Sequence, residues 1–149
     1  MRQTRGFTLI EIMAVVLIIG LLSALVGMAV FPRIDQAKVS TAKTQIKMLD
    51  AALESYRMDN SNFPTSEQGL LALIQPPPEA RNALPGGYLK EKRIPDDPWG
   101  NKFQYESPGQ HNADSYDLWS FGRDGTPGGT GVDADLGNWV EGAETALAN

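Results

Sequence analysis

Three aspartates near the end of the chain are the first residues whose type and spacing could do chemistry. Asp124, Asp133 and Asp135 lie in a glycine-rich segment, residues 121–139. Such a segment has high conformational entropy and few side chains to bury, so another interaction must order it. Carboxylate and carbonyl oxygens are the ligands that Ca²⁺ takes, about six to eight of them in flexible geometry. Metal binding would supply the missing order.

The same aspartates have other interpretations. Aspartate beside glycine is ordinary turn chemistry. The segment does not match the EF-hand loop, because Gly125 directly follows Asp124 and no glutamate stands at the twelfth position. Asp133 and Asp135, with one residue between them, match the Asp-x-Asp metal motif of sugar-nucleotide transferases, but a match of three residues is weak evidence. The residues alone leave calcium binding and plain turn formation both open.

Most catalytic chemistries are excluded by the composition. The chain has no cysteine, which removes disulfides, thiolate zinc sites and cysteine nucleophiles. Its single histidine, His111, cannot build a multi-histidine metal site and has no nucleophile beside it, so we expect a loop residue there. The phosphate-binding motif Gly-x-x-x-x-Gly-Lys-Ser/Thr is also missing. We predict that the chain is not an enzyme.

Length and charge limit the partners. A chain of 149 residues fits at most one compact domain. Its formal net charge is −5, and residues 106–149 contain eight acids and only one base, Arg123. This part of the chain would repel phosphate backbones, so we predict no nucleic-acid partner.

Residues 7–31 form an apolar run whose only ionisable side chain is Glu11. The run is long enough to cross a bilayer, since about 20 apolar residues suffice. Arg2 and Arg5 precede it, and positive charge at this end favours a cytoplasmic N-terminus. We therefore predict a single-pass protein with most of its mass outside the cytoplasm.

Two simpler interpretations of this run are a secretory signal peptide and a plain membrane anchor. The apolar region of a signal peptide has only about 7–15 residues, which is shorter than this run. A plain anchor gives no reason for Glu11, because a charge inside a span costs up to about 3 kcal/mol, and less near the interface. The carboxylate therefore indicates a partner.

The residues from Gly6 to Glu11, GFTLIE, resemble the start of the type IV pilin superfamily. The resemblance implies that a prepilin peptidase cuts between Gly6 and Phe7, removing residues 1–6 as a leader, and that Phe7 is then N-methylated. It also implies assembly roles for Thr8 and Glu11. In a filament the Glu11 carboxylate would pair with the amine at Phe7 of a neighbouring copy, and such a pair specifies register more than it adds stability.

The pattern after Pro32 changes from apolar all round to amphipathic. Apolar residues recur at steps of four and three, which predicts one buried face of a helix over residues 32–60. We expect Pro32 to kink or locally melt the helix, and we expect the helix to end near residues 59–62, a cluster of turn formers. The positions of the stripe are Ala42, Ile46, Leu49, Leu53 and Tyr56.

The remaining part, residues 61–149, is predicted to be a globular head. Residues 65–74 predict a short helix capped by Thr65 or Ser66. Alternating polar and apolar residues predict two antiparallel strands over 102–106 and 115–120. Expected buried anchors are Tyr88, Leu89 and Trp99, and expected turn residues are Asp96 and Asp97.

Several motifs of this head resemble the major pseudopilin family of type II secretion. They are Phe63-Pro64-Thr65, Gln68-Gly69-Leu70, Tyr88-Leu89, Asp97-Pro98-Trp99-Gly100, Tyr116-Asp117-Leu118 and the loop from Asp124 to Asp135. The resemblance implies an α+β, pilin-like fold, with a long N-terminal helix packed on a small antiparallel sheet and a calcium-stabilised loop. Its implied ligands are the carboxylates of Asp124, Asp133 and Asp135 and the backbone carbonyls of Phe121 and Val132.

The resemblance also implies a function and a location. The chain would be a structural subunit anchored in the bacterial inner membrane, with its head in the periplasm. It would polymerise with its own copies into a pseudopilus and help export folded proteins across the outer membrane. Further implied partners are minor pseudopilins, an inner-membrane assembly platform, the prepilin peptidase, and an outer-membrane secretin with exported proteins. Residues 7–31 would then be the filament core, and residues 140–149 receive no role.

Two alternative functions remain at this point. A type IV pilin for adhesion or twitching motility would share the N-terminus, but such pilins usually carry a C-terminal disulfide loop, and this chain has no cysteine. A membrane-anchored calcium-dependent hydrolase would need a nucleophile and a base, and none are paired in this sequence.

Overall fold

A computed structural model describes residues 6–80 and 82–139 of the chain. Its regular elements, in chain order, are helix α1 (Leu9–Asn60), a first 3₁₀ helix (Gly69–Leu73), strand β1 (Gln104–Glu106), strand β2 (Asp117–Ser120), a second 3₁₀ helix (Gly131–Asp133) and strand β3 (Leu136–Gly137). The contacts within the chain divide it into an N-terminal unit up to Ala37 and a head unit from Lys38 onward.

The N-terminal unit is helical from Leu9 and exposes its apolar side chains. The stretch Leu9–Val26 has a mean hydropathy of 2.8 and is 0% buried within the chain, so it is long and apolar enough to cross a membrane. The backbone stays helical through Pro32. The expected local melting there was wrong, because proline costs a helix one hydrogen bond while its fixed φ remains helical. A kink at Pro32 stays a prediction.

The second half of α1 carries the core of the head. All five residues of the predicted stripe are buried, with Ala42, Leu49 and Leu53 fully so, which confirms the helical periodicity. The helix ends at Asn60, within the predicted range. Ser61 takes a positive φ of 68°, and its N–H donates to the Arg57 carbonyl at 2.7 Å.

The head contains a three-stranded antiparallel sheet in the order β1-β2-β3. Glu106 of β1 pairs with Asp117 of β2, and Ser120 of β2 pairs with Leu136 of β3. The first two strands lie inside the two ranges predicted from the sequence, but both are shorter. Strand β3 was not predicted, because its two residues show no alternation and lie inside the glycine-rich segment.

Leu118 and Leu136 of the sheet belong to the same buried core as Leu73 and the stripe of α1.

In the chain between α1 and β1, the predicted helix at residues 65–74 is a turn followed by the first 3₁₀ helix. Thr65 caps this turn and not the 3₁₀ helix, whose N-cap is Gln68. The Thr65 Oγ1 accepts from the Gln68 N–H at 3.3 Å, and the Thr65 N–H donates to Gln68 Oε1 at 2.9 Å.

Between the 3₁₀ helix and β1, Asp97 is a turn residue as predicted, but Asp96 is not, because it forms an isolated antiparallel bridge with Lys102. Of the expected anchors, Leu89 is buried, while Tyr88 and Trp99 are half-buried. Asp97 forms the predicted turn, accepting the Trp99 N–H at 3.0 Å and the Asn101 N–H at 2.8 Å. Its second carboxylate oxygen accepts from the Ser120 hydroxyl at 2.5 Å, so this turn residue also fixes the loop to β2.

Candidate functional site

The N-terminal candidate residues lie at the start of α1. Gly6 and Phe7 are in non-helical, exposed backbone just before the helix, with Phe7 83% exposed. An added Cβ at Gly6 would meet no atom within 4 Å. The segment that a peptidase would have to cut is therefore accessible in the described part of the chain.

Thr8 and Glu11 form a reciprocal cap on the helix. The Glu11 carboxylate accepts from the Thr8 N–H and the Thr8 hydroxyl, both at 2.8 Å, while Thr8 Oγ1 lies 3.3 Å from the Glu11 N–H. This is the capping-box arrangement, in which two otherwise unpaired backbone donors are satisfied. Sequence reasoning missed it, although the spacing of threonine and glutamate by three residues is its signal.

The three aspartates of the glycine-rich segment have separate partners. Asp124 accepts from the Thr126 N–H at 3.1 Å and from its hydroxyl at 3.0 Å. Asp133 binds Arg123 through two bonds, of 2.8 and 3.0 Å, and Asp135 Oδ2 accepts from the Gly128 N–H at 3.0 Å. Among the described residues, no group of three or more His, Cys, Asp or Glu side chains is placed to hold a metal ion.

One carboxylate oxygen of this segment nevertheless has no hydrogen-bond partner among the described residues. It is Oδ1 of Asp135, which is buried. Gly122 has a φ of 71°. A Cβ added at Gly122 would lie 2.9 Å from the carbonyl oxygen of Val132 and 2.8 Å from that of Ala134. Of the two backbone ligands implied by the resemblance, the Val132 carbonyl accepts the Arg123 N–H at 3.0 Å, and the described contact of Phe121 is its ring against Trp119, with 6.0 Å between the centroids.

A buried carboxylate at Asp117 organises the neighbouring loop. It accepts backbone N–H bonds from Gln110 and His111 at 2.8 Å and from Asn112 at 3.0 Å. Burial alone would raise the pKa of Asp117, but these N–H bonds and the His111 side chain outweigh burial and hold that pKa below its usual range. Gly109 is required beside it, because an added Cβ would lie 2.5 Å from Asp117 Oδ1.

His111 is a loop residue, as predicted, but its side chain has a defined position. Its Nδ1 lies 3.0 Å from Asp117 Oδ2, and its ring stacks on Trp139 with centroids 3.9 Å apart and an angle of 7° between the planes. Trp139 lies far along the chain from His111, so no local pattern near His111 could reveal this stacking.

Asp50 connects α1 by a hydrogen bond to the residue that precedes strand β2. Its carboxylate accepts from the Tyr116 hydroxyl at 2.9 Å. Burial raises the pKa of Asp50 above its ordinary value, although the Tyr116 hydroxyl and Asn138 act in the other direction. The contact fixes the entrance of β2 against α1.

Two family models match the chain and together cover both units. Residues 29–139 match the family described as type II secretion system (T2SS), protein G, and residues 1–30 match the prokaryotic N-terminal methylation motif. The chain belongs to the type II secretion system protein G family. The family suggested by the sequence motifs is thus confirmed, and the alternative of a type IV pilin is not supported.

Close relatives of this protein G chain share nearly its full length. Proteins named type II secretion system core protein G are 51% identical in Pseudomonas aeruginosa, covering 93% of this chain and 96% of the relative, and 46% identical in Vibrio cholerae, covering 93% and 94%. The protein of that name in Escherichia coli K12 is 43% identical and covers 92% of each.

A solved structure confirms the fold class. The major pseudopilin from the type 2 secretion system of enterohaemorrhagic Escherichia coli matches with a TM-score of 0.61 and 39% sequence identity, over 72% of this chain and 90% of that chain. The long N-terminal helix with a small antiparallel sheet, predicted from the resemblance, is therefore the fold of this protein G chain.

Proposed function

We propose that the chain is a structural subunit that polymerises into the periplasmic pseudopilus of a type II secretion system and helps export folded proteins across the outer membrane. The observation that carries this proposal is the N-terminal unit. A helix that is 0% buried over Leu9–Val26 has no partner within its own chain, and it directly follows the methylation motif. Lipid or identical helices are the environments that such a surface requires.

Processing prepares this helix for assembly. Cleavage between Gly6 and Phe7 would remove the leader with its two arginines and create a free α-amine at Phe7. That amine has a reference pKa of about 7.7–8.0, so it is mostly protonated at neutral pH. The Glu11 carboxylate then gains a cationic partner on a neighbouring copy, while Thr8 continues to cap the helix.

Assembly moves the helix from lipid into a bundle. Lipid tails are as apolar as the helix itself, so association depends on close packing and on the few polar contacts between helices. The pairing of Glu11 with the Phe7 amine would set the register of each added copy. The work of extracting helices from the bilayer would come from an ATPase elsewhere in the machine, which acts with the inner-membrane assembly platform and minor pseudopilins.

The location follows from the same unit. The single span would place the N-terminus in the cytoplasm and the head in the periplasm, where the filament lies between the inner membrane and the secretin. Exported proteins would meet the heads, which form the outer shell. No nucleophile–base pair and no bound nucleotide are needed for this role, and we propose that the subunit is not an enzyme.

We also propose that Ca²⁺ orders the segment from Phe121 to Asp135. Its ligands would be the carboxylates of Asp124, Asp133 and Asp135 and the carbonyls of Phe121 and Val132. The buried Asp135 Oδ1, which has no hydrogen-bond partner among the described residues, supports this proposal. The Val132 carbonyl would bind the ion in addition to the Arg123 N–H that it accepts. Asp133 would exchange its contact with Arg123 for the ion. The segment has few apolar side chains to order it. The positive charge of the bound ion would hold its carboxylates together instead.

Complementation of secretion tests the function. A bacterium with a type II secretion system and without its own protein G receives this chain, and the exported enzymes in the medium are measured. We expect secretion to return with the parent chain and not with a chain that lacks residues 7–26. Full secretion by that shortened chain would contradict the proposal.

A further inference from the structure

A groove with a cavity volume of about 430 Å³ opens beside the sheet. Strand β2 alternates, so Trp119 points away from the core that holds Leu118. The Trp119 ring lies 6.1 Å from the ring of Trp139 and 6.0 Å from that of Phe121, centroid to centroid. All three rings are only half-buried, so they border the groove and leave ring surface toward it.

The charged side chains of this groove are mainly acidic, and the other polar side chains that line it are those of Gln110 and His111, whose ring stacks on Trp139. Three carboxylates line it, those of Glu106, Asp117 and Asp135, and no lysine or arginine does so among the described residues. The charge of Asp117 is compensated by the backbone N–H groups that it binds. The Glu106 carboxylate accepts a bond of 3.1 Å from the Gln110 side chain, an uncharged donor, so Glu106 keeps its negative charge at the rim.

Aromatic faces and carboxylates together select a cation. The face of a tryptophan ring is negative and attracts an ammonium or guanidinium group within about 6 Å of its centroid. A carboxylate beside the rings adds an ion pair, whereas it would repel an anion. A planar guanidinium suits this combination best, because it stacks on a ring while its N–H groups donate to a carboxylate.

We propose that the groove formed by Trp119, Phe121, Trp139 and Glu106 binds an arginine side chain of a partner protein. The guanidinium lies against the Trp119 ring and donates to Glu106. This site is separate from the filament contacts of Phe7 and Glu11, which lie in the N-terminal unit. Phe121 and Asp135 also belong to the segment that Ca²⁺ is proposed to order, so the test is made both with Ca²⁺ and in EGTA. Binding of arginine in either condition supports the site, and no binding in both contradicts it whatever the role of the metal.

The test uses the full processed chain in detergent micelles, labelled with ¹⁵N. The probe is the peptide acetyl-Gly-Arg-Gly-amide, compared with the same peptide carrying citrulline, which has the shape of arginine without its charge. Indole N–H signals are followed by NMR during titration. We expect the arginine peptide to shift the signals of Trp119 and Trp139, while Trp99, outside the groove, serves as the internal reference.

Two variants that each remove one negative charge test the role of Glu106. Glu106→Gln removes the charge at the rim while retaining the side-chain length, and it should weaken binding of the arginine peptide by roughly tenfold, the scale of a charged contact combined with a ring. Glu79→Gln removes the same charge at an exposed position that does not line the groove, and it should leave binding unchanged. The citrulline peptide should bind the parent chain at least about tenfold more weakly than the arginine peptide.

Three outcomes would overturn the proposal. Equal shifts with the arginine and citrulline peptides would show that the groove does not select a cation. Equal effects of the two glutamate variants would show only a general response to net charge. The indole signals of Trp119 and Trp139 could also remain unchanged with both peptides and shift with protein concentration. This would show that a second copy of the chain, and not an arginine of a partner protein, occupies the groove.

Discussion

Glu11 has two roles that a single residue can combine. Its carboxylate caps α1 through Thr8, at 2.8 Å from both the N–H and the hydroxyl, and under the proposed function it also pairs with the amine of a neighbouring copy. Capping needs only a hydrogen-bond acceptor, whereas pairing needs a negative charge. The two roles can therefore be separated by a substitution that keeps the acceptor.

We predict that Glu11→Gln inserts into the membrane and keeps the start of α1, because glutamine serves the capping box as well as glutamate. It should lose filament assembly, since the charge is gone. Glu11→Ala should lose both the cap and assembly, because alanine offers neither an acceptor nor a charge. Filaments are counted by electron microscopy and insertion by membrane fractionation. Normal filaments from Glu11→Gln would refute the pairing.

Asp117 is the residue whose protonation should matter most for the head. Its folded pKa is lowered, so its contribution to stability is complete above the unfolded pKa of about 3.9 and is lost as the pH falls through the folded pKa. We predict that Asp117→Asn lowers the free energy of unfolding at pH 7 by about 2–3 kcal/mol.

The parent and Asp117→Asn chains should converge in stability as the pH falls below about 4. Denaturant unfolding of the processed chain in detergent, from pH 2 to pH 7, measures this. Asp114→Asn, which removes an exposed acid from the same loop, should show no such change. A constant difference between parent and Asp117→Asn at every pH would contradict the assignment.

At the scale of elements, the buried face of α1 holds the head together. Leu53 is fully buried in the core, and we predict that Leu53→Ala destabilises the head by about 2–5 kcal/mol through lost burial and a residual cavity. Met58→Ala, at a position that is 74% exposed, should change stability by no more than about 0.5 kcal/mol. Urea unfolding measures both, and similar losses from the two variants would argue against the observed helix face.

The glycine-rich segment gives a second prediction for an element. Because Asp135 Oδ1 is buried without a partner, Ca²⁺ should raise the melting temperature of the processed chain above its value in EGTA. Asp135→Asn should abolish most of this increase, whereas Asp114→Asn should preserve it. Melting is followed by near-ultraviolet circular dichroism in detergent. Equal melting curves with Ca²⁺ and EGTA would exclude a structural metal.

The elements predicted from the sequence are those with a strong local pattern. The stripe from Ala42 to Tyr56 repeats over four turns, and its period alone fixes the buried face of α1. Strands β1 and β2 show alternation and were found. Strand β3 has only two residues and pairs with β2 across the glycine-rich segment, Ser120 with Leu136, while the Asp117 loop is held by one carboxylate that binds three backbone N–H groups; no local pattern of hydrophobic residues encodes either arrangement.

The candidate sites also differ in how far the sequence could predict them. The residues from Gly6 to Glu11 form a contiguous motif and could be predicted as a unit. The proposed calcium ligands Asp124, Asp133 and Asp135 are spread over a segment rich in glycine, where conformational freedom removes any fixed relation between sequence spacing and distance. The competing contact of Arg123 with Asp133 could not be anticipated for this reason.

At the scale of the whole molecule, the proposed function requires that residues 1–6 are removed as a leader. We predict that Gly6→Ala blocks cleavage, since the resemblance places the cut directly after this glycine, and that the chain then stays in the inner membrane without forming filaments. Intact mass distinguishes the uncut chain from the processed one. Gly20→Ala, in the middle of the apolar helix, is the control and should be cut normally. Complete cleavage of Gly6→Ala would contradict the predicted site.

The central claim is that copies of the processed chain leave the membrane and form a filament through their exposed N-terminal helices. Filaments sheared from cells with an active secretion system, examined by electron microscopy and analysed by mass spectrometry, test it most directly. We predict filaments whose main component begins at an N-methylated Phe7 of this chain. A processed chain that remains a monomer in the membrane while secretion proceeds would contradict the account.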